Sequence, residues 1–478
     1  MNFEAAINSL FETINTIVAN VFFFNTLFFI EGAYLPLTVV WFFVAAVYLT
    51  VYFRFINFRY FGHAIKVTCG FYDSKKAKGE VSHFQALSTA LSATIGLGNI
   101  AGVAIAISLG GPGATFWMIL CGLFGMSSKF AECTLAQIYR RTDERGAIVG
   151  GPMVYLQEGL NRLNKPKLGK FLSVVFTILC IGGAIGGGGS FQVNQSMNAM
   201  MEVMPWLKDY SWVYGLFIVV AVGLVLVGGI QRIAHVSEKI VPFMCSLYIV
   251  MSLMILFQNY DLIPLAFSKI YHGAFSPEAM YGGFLGVLVQ GVRRAAFSNE
   301  AGMGSAAIAH STAKTEHPVE EGMVSLLEPF IDTVVICTMT ALVMVITGAY
   351  NNPDYIDLIH GNQGSALTLK AYGSYHVSFI YLLCAVIFMF AYATMISWGY
   401  YGERAFVYLF GAKKKRIYHV ILLVTLFSGA IVKSTHVMEF GDLMILGMGF
   451  PNLIGVFLLR KEIKAALNDY VTKLKART

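Results

Sequence analysis

Ser298, Asn299 and Glu300 stand side by side in GVLVQGVRRAAFSNEAGMGSAAIAHS, an apolar stretch interrupted again by Gly302, Gly304 and Ser305. A carboxylate in such surroundings is a functional-site candidate by default, because taking it out of water is costly. Glu300 can meet a ligand ammonium or organise a cation site; it can equally pair with Arg293 or Arg294, one to two helical turns away. A second stretch, FQALSTALSATIGLGNIAGVAIAISLGG, is interrupted by Gly96, Gly98 and Gly102 and carries polar Thr94 and Asn99. If its helix unwinds there, the amides of Gly96, Leu97 and Gly98 gain partial positive charge and attract a carboxylate. The glycines let that ligand approach the backbone closely. The carbonyls freed at Thr94 and Ile95 suit a hard cation, and Asn99 can cap the next half-helix or touch the ligand.

Two more stretches supply side chains of the same kind. GGAIGGGGSFQVNQSMN allows close backbone contact through its glycines and places Gln192 and Gln195 at i, i+3 on one helical face. Gln192 can hydrogen-bond a small polar solute or make an amide bond between helices. In YATMISW, Thr394 and Trp398 lie at i, i+4 with Ser397 beside them. They offer a cation ligand and a pocket wall, or for Trp398 a packing role.

The elements that position these residues follow from composition. Of 478 residues 56% are hydrophobic and 13% charged, and the mean hydropathy is +0.65. Soluble domains carry about 25% charged residues, so the chain is expected to be a polytopic membrane protein. A crossing needs about 20 apolar residues. Qualifying runs lie near 33–53, 84–109, 112–139, 171–200, 212–230, 240–257, 281–311, 324–349, 376–408, 417–433 and 441–459, eleven spans in all. Residues 1–32 read as an amphipathic surface helix. With the N-terminus outside, 27 of the 34 Lys and Arg fall in inner segments and four in outer ones, a strong positive-inside signal.

Both interrupted stretches are followed by four ordinary spans, giving units 84–257 and 281–459 that enter the membrane from opposite sides. Broken helices at matching places of two inverted halves point to a transporter's binding site. The span 33–53 is then an additional N-terminal helix, and 460–478 an inner tail. Lys129 and Glu132, at i, i+3, are expected to pair or face the inner cavity. Glu328 and Asp332, at i, i+4 near the inner end of the eighth span, are expected to belong to a gate.

Other chemistries find no support. The seven cysteines are scattered singly, without CxxC or Cys/His metal spacing. No P-loop or serine-nucleophile elbow is present, and the basic residues sit in short loops rather than a nucleic-acid arm. No Lys or Arg precedes Arg54, so no cleavable signal peptide is expected. Neither an enzyme nor a cofactor is expected; a channel or a transporter-like receptor remains the alternative to a transporter.

At these same residues the chain resembles the alanine/glycine:cation symporter family, the sodium:alanine symporters. The matching stretches are ALSATIGLGNIAGVAIAISLGGPGATFWM, GGPMVYLQEGL, FSNEAGMGSAAIAHSTAKTEHP and SWGYYGE, spread over most of the chain. The resemblance implies an all-α, LeuT-like fold of two inverted five-helix repeats. It also implies uptake of alanine, glycine or a similar small neutral amino acid, driven by Na+ (or H+) through alternating access in the plasma membrane, which is the inner membrane of a Gram-negative cell. Carried over residue by residue, the substrate site would use Thr94, Ile95, Gly96, Leu97 and Gly98, Gln192, Phe297, Ser298, Asn299 and Glu300, and Trp398. Thr94, Ile95, Thr394 and Ser397 would hold the cation. The chain departs from the family pattern at Leu97, where a threonine is common, and at Ser190. Both lie beside the implied pocket and bear on substrate choice.

Overall fold

Ser82 starts the helix on which the first break sits. Its hydroxyl accepts the Gln85 amide at 3.2 Å while the Gln85 carboxamide accepts the Ser82 amide at 3.1 Å, a reciprocal cap for two otherwise unmet donors. Helix His83–Thr94 follows, and after residues 95–97 the chain resumes in wide π turns at Gly98–Gly102 and ordinary helix at Val103–Gly110. The halves are bent by 50°. This computed structural model describes residues 3–30, 34–74, 76–143, 146–275, 283–431 and 435–476.

Those residues are mostly helical. Six helical stretches are long and apolar enough to cross a bilayer: Ala114–Tyr139, Pro166–Val203, Gly229–Gln258, Pro318–Thr347, Val377–Phe410 and Glu439–Lys475. The bent pair adds a seventh if counted as one span. The other expected spans are shorter pieces. Leu37–Tyr52 and Ser211–Leu226 are apolar helices of 16 residues each, and Lys415–Ile431 has 17. The second interrupted stretch divides into Gly283–Asn299 and Ser305–His310. Residues 276–282, at the start of that expected span, lie outside the described residues, as do 31–33 and 432–434.

Three local features add to the expected spans. Helix Gly449–Lys475 runs on through the segment 460–475, expected as an inner tail, and Tyr470 hydrogen-bonds His63 at 2.8 Å. Residues 140–150 hold a small hairpin, with Arg141 opposite Val149 and Thr142 opposite Ile148, closed through Gly146 at φ 81°. Near the N-terminus, where a surface helix is expected over 1–32, helix Phe3–Phe22 forms and packs Phe22 against Phe450 at 4.9 Å.

The glycine run Gly182–Gly189 brings helices into near-backbone contact. A Cβ on Gly188 would stand 2.2 Å from the Trp398 ring, and one on Gly186 2.5 Å from the Gly441 Cα. Glycine here is what allows Trp398 to reach the molecule's middle.

Candidate functional site

The first break is held open by side-chain oxygens. The Gly96 amide donates to Asn99 Oδ1 at 3.0 Å and the Leu97 amide to Gln192 Oε1 at 3.0 Å. Gln192 is itself anchored, its Nε2 donating to the Gly187 carbonyl at 3.0 Å. Two carboxamide oxygens thus sit where the oxygens of a ligand carboxylate would be received. Asn99 does not cap the following half-helix: it reaches back to Gly96 and across to Asp332, its Nδ2 donating to Asp332 Oδ1 at 2.6 Å. Gln195 turns away, with Nε2 donating to the Asn362 carbonyl at 3.1 Å.

Hydroxyls gather on the other side of the same break. Thr394 Oγ1 donates to the Ser92 carbonyl at 3.0 Å, and a Cβ on Gly96 would lie 2.5 Å from that hydroxyl. Ser397 Oγ bonds Ser92 Oγ, which also accepts from Ser237 Oγ at 3.2 Å. Thr94 bonds back to its own helix, to the Ala90 and Leu91 carbonyls at 3.3 and 3.4 Å. Of the expected cation ligands, Thr394 and Ser397 therefore meet at Ser92, which sequence reasoning missed because one serine in an apolar helix carries no spacing signal.

The second break is strained at its acid. Helix Gly283–Asn299 ends and Glu300 takes φ 54°, a left-handed conformation that a side-chain-bearing residue holds only when its surroundings enforce it. Trp398 Nε1 donates to Glu300 Oε1 at 2.9 Å, and Ser305 Oγ donates to Oε2. The expected pairing with Arg293 or Arg294 does not form. Both arginines go to Asp442 instead, at 3.2 and 3.4 Å. That partner was missed because it lies far along the chain.

The two breaks face each other across one small cavity. Ala93, Thr94, Gly96 and Gly98 line it from the first break, Phe297 and Glu300 from the second, with Gly187, Gln192, Thr394, Trp398 and Ile445 completing the walls. Space for the centre of a water molecule amounts to about 10 Å³, enough for roughly one water. Ile95, Leu97, Ser298, Asn299 and Ser397 do not line it. Ser298 and Asn299 turn to the neighbouring helix, donating to Asp332 Oδ2 at 2.8 Å and Thr333 Oγ1 at 2.9 Å.

Phe297 meets Phe191 edge to face at 5.5 Å. Beyond Phe191 lies a larger space of about 290 Å³, lined also by Asn362, Arg293, Arg294 and Asp442. The ring pair stands between this vestibule and the cavity. Near the second break lies a buried chain of charges. Lys129 Nζ is 3.0 Å from Glu328 and 3.9 Å from Glu132, so its nearer partner is not the expected one. His310 lies between two carboxylates, with Nδ1 2.5 Å from Glu321 and Nε2 bonded to Glu328. Glu321 also bonds His83 Nδ1. Cys133, His310 and Glu328 come close enough to suggest a metal site, but both imidazole nitrogens are taken and Lys129 already supplies the positive charge. The arrangement suits ion pairing.

Glu328 and Asp332, expected to belong to a gate, go to different partners, Glu328 to Lys129 and His310 and Asp332 to Asn99 and Ser298. The wide π turns of Phe330–Cys337 begin between them, and i→i+5 bonding breaks the register that would put i and i+4 on one face. Neither His310, His83 nor Glu321 was anticipated, since a lone histidine at a helix end has no distinguishing pattern.

Comparison with known proteins places this arrangement. The family model for the sodium:alanine symporter family matches residues 18–478. The sodium/alanine symporter AgcS of Methanococcus maripaludis is 39% identical over 417 residues, covering 86% of this chain and 89% of that one. The "Probable sodium/glutamine symporter GlnT" of Bacillus subtilis is 35% identical over 433 residues, covering 90% and 87%. The crystal structure of MhsT in complex with L-phenylalanine superposes with a TM-score of 0.51 at 14% identity, covering 81% of this chain and 99% of that one. The fold is therefore that of a LeuT-like transporter, and the chain is a multi-pass membrane protein whose relatives are secondary symporters. It belongs to the sodium:alanine symporter family.

Proposed function

We propose that the chain couples inward Na+ movement to uptake of a small neutral amino acid, alanine or glycine, by alternating access. The observation that carries this is the pair of helix breaks facing one cavity, backbone amides on one wall and Glu300 on the other. The substrate carboxylate takes the Gly96 and Leu97 amides, displacing the oxygens of Asn99 and Gln192. Its ammonium meets Glu300, whose present partners are neutral donors. Phe297 and Trp398 bound the side-chain space. Thr394 and Ser397, with the carbonyls of Thr94 and Ile95, hold the cation.

Eleven spans in two inverted units, 84–257 and 281–459, carry this site, with residues 33–53 outside the repeat. The N-terminus lies outside and the C-terminus in the cytoplasm, in the plasma membrane. The vestibule beyond Phe191 is then the outer approach and the Lys129–Glu328–His310–Glu321 chain the inner seal. Radiolabelled alanine uptake into proteoliposomes tests the proposal. An inward sodium gradient should drive accumulation, and equal sodium on both sides should abolish it; flux indifferent to the gradient overturns symport.

A further inference from the structure

A cavity of about 370 Å³ shares no lining residue with the site above. It lies where helix Leu37–Tyr52 ends beside the last turns of helix Gly449–Lys475. Four of its lining residues are cations, Arg54, Arg59, Lys464 and Lys475, and none is an acid. The acids of the neighbouring turns are engaged elsewhere. Glu462 accepts the Tyr139 hydroxyl at 2.6 Å, and Asp469 pairs with Lys473 at 2.7 Å. Among the described residues, no carboxylate comes within ion-pair reach of Arg54, Arg59 or Lys464. Topology asks only for basic residues in inner loops. A concave cluster of them without a single acid is the chemistry of an anion site.

Backbone and rings position these cations. Arg54 and Phe55 take left-handed backbone, φ 54° and 57°, which residues with side chains hold only under constraint. The chain turns sharply there, and Arg54 and, one short helix later, Arg59 line the same cavity. Arg59 Nη1 donates to the Arg54 carbonyl at 3.4 Å, and its guanidinium lies 5.5 Å from the Tyr60 ring centre. Lys464 Nζ stands 4.5 Å from the centre of the Tyr52 ring. Lys464, Leu467, Asn468, Val471 and Lys475 follow one another at i, i+3, i+4, i+7 and i+11, so one face of the last helix forms a wall.

The apolar surroundings select the kind of anion. Val44, Tyr48 and Val51, at i, i+4 and i+7 of helix Leu37–Tyr52, are exposed at 57%, 39% and 59%, a stripe that runs toward the cavity. Tyr48 stacks on Tyr52 at 5.8 Å and so carries the stripe to the cavity wall. Phe55 and Phe58 are exposed between the two arginines. A soluble phosphate uses none of this apolar surface, whereas a lipid brings an acyl chain for the stripe and a phosphate for the cations. We propose that the cavity binds the headgroup of an anionic phospholipid. Arg54, Arg59 and Lys464 hold the phosphate, and an acyl chain lies along Val44, Tyr48 and Val51. Basic pockets between membrane helices on the inner side suit such headgroups. The ammonium of a zwitterionic lipid would meet four cations and no carboxylate, so the site discriminates against it.

The test is native mass spectrometry of the full chain in detergent, titrated with dioleoyl phosphatidylglycerol and, separately, with dioleoyl phosphatidylcholine. The first lipid should bind at least ~10-fold more tightly than the second. Replacing Arg59→Gln together with Lys464→Gln should abolish that preference. Replacing Lys413→Gln together with Lys414→Gln removes the same charge from an exposed turn outside the cavity, and should leave the preference in place. A wild type without preference overturns the site. So does equal loss in the two double variants, since net charge alone would then attract the lipid. Displacement of phosphatidylglycerol by glycerol 3-phosphate at equal concentration also overturns it, by making the site one for soluble phosphates. If the first double variant does not stay monodisperse, Lys464→Gln alone must weaken phosphatidylglycerol binding at least ~3-fold. This site and the symport reading fail separately. Sodium-driven uptake without lipid preference refutes the site only, and lipid preference without uptake refutes symport only.

Discussion

Glu300 is held by the Trp398 indole and the Ser305 hydroxyl. Each bond to a charged acceptor is worth about 1.5–3 kcal/mol. Trp398→Phe keeps an aromatic wall but removes the indole donor, so half-saturating alanine should rise about 10-fold in uptake kinetics, and an unchanged value would exclude Trp398 from the site. A sharper steric test is Gly96→Ala. Its Cβ would stand 2.5 Å from Thr394 Oγ1, whereas one on Gly62 meets nothing within 4 Å. Uptake should be lost in Gly96→Ala and retained in Gly62→Ala; equal activities would mean that the first break does not close on Thr394. At this scale the sequence was legible where a polar residue contradicted its apolar neighbours, as at Glu300, Asn99 and Thr394. Pairings were not legible. Arg293 meets Asp442 across 149 residues, and no local pattern encodes a contact made only once the helices pack.

Helices in this protein are informative where they stop being regular. The 50° bend after Thr94 and the left-handed Glu300 fall where glycines and polar residues cluster, so both breaks were visible beforehand. The π turns at Phe330–Cys337 were not, because FIDTVVIC reads as ordinary apolar helix. Those turns are why Glu328 joins Lys129 and His310 while Asp332 joins Ser298 and Asn99. The charged chain makes the helices interdependent. Glu328→Gln strands Lys129 in a buried site and should cost about 3–5 kcal/mol, seen as a lower midpoint of thermal unfolding in detergent. Adding Lys129→Met should recover part of that loss, since it removes the stranded ammonium and leaves Glu132 to its Asn452 and Gly304 donors. A double variant as unstable as the sum of the two single ones would show that the pair does not act as a pair.

Across the whole molecule, the few charges divide into two populations. Loop Lys and Arg set the expected topology, while the buried acids sit among the helices, Glu300 of them lining the cavity. Cys69 tests the topology because it is exposed in the 54–83 segment while the other six cysteines are buried. In right-side-out vesicles a membrane-impermeant maleimide should leave Cys69 unlabelled until the membrane is permeabilised, and labelling in sealed vesicles would invert the orientation. The architecture was legible in outline for the reason the membrane imposes: backbone polar groups must be satisfied within helices, so apolar runs become helices. Exact lengths were less so, because Leu37–Tyr52 and Ser211–Leu226 stop short of their apolar runs. The most direct measurement of coupled transport is a two-label flux in proteoliposomes, following radioactive sodium and alanine together. External alanine should accelerate sodium entry and external sodium should accelerate alanine entry, in a fixed ratio; sodium entry that ignores alanine would contradict symport.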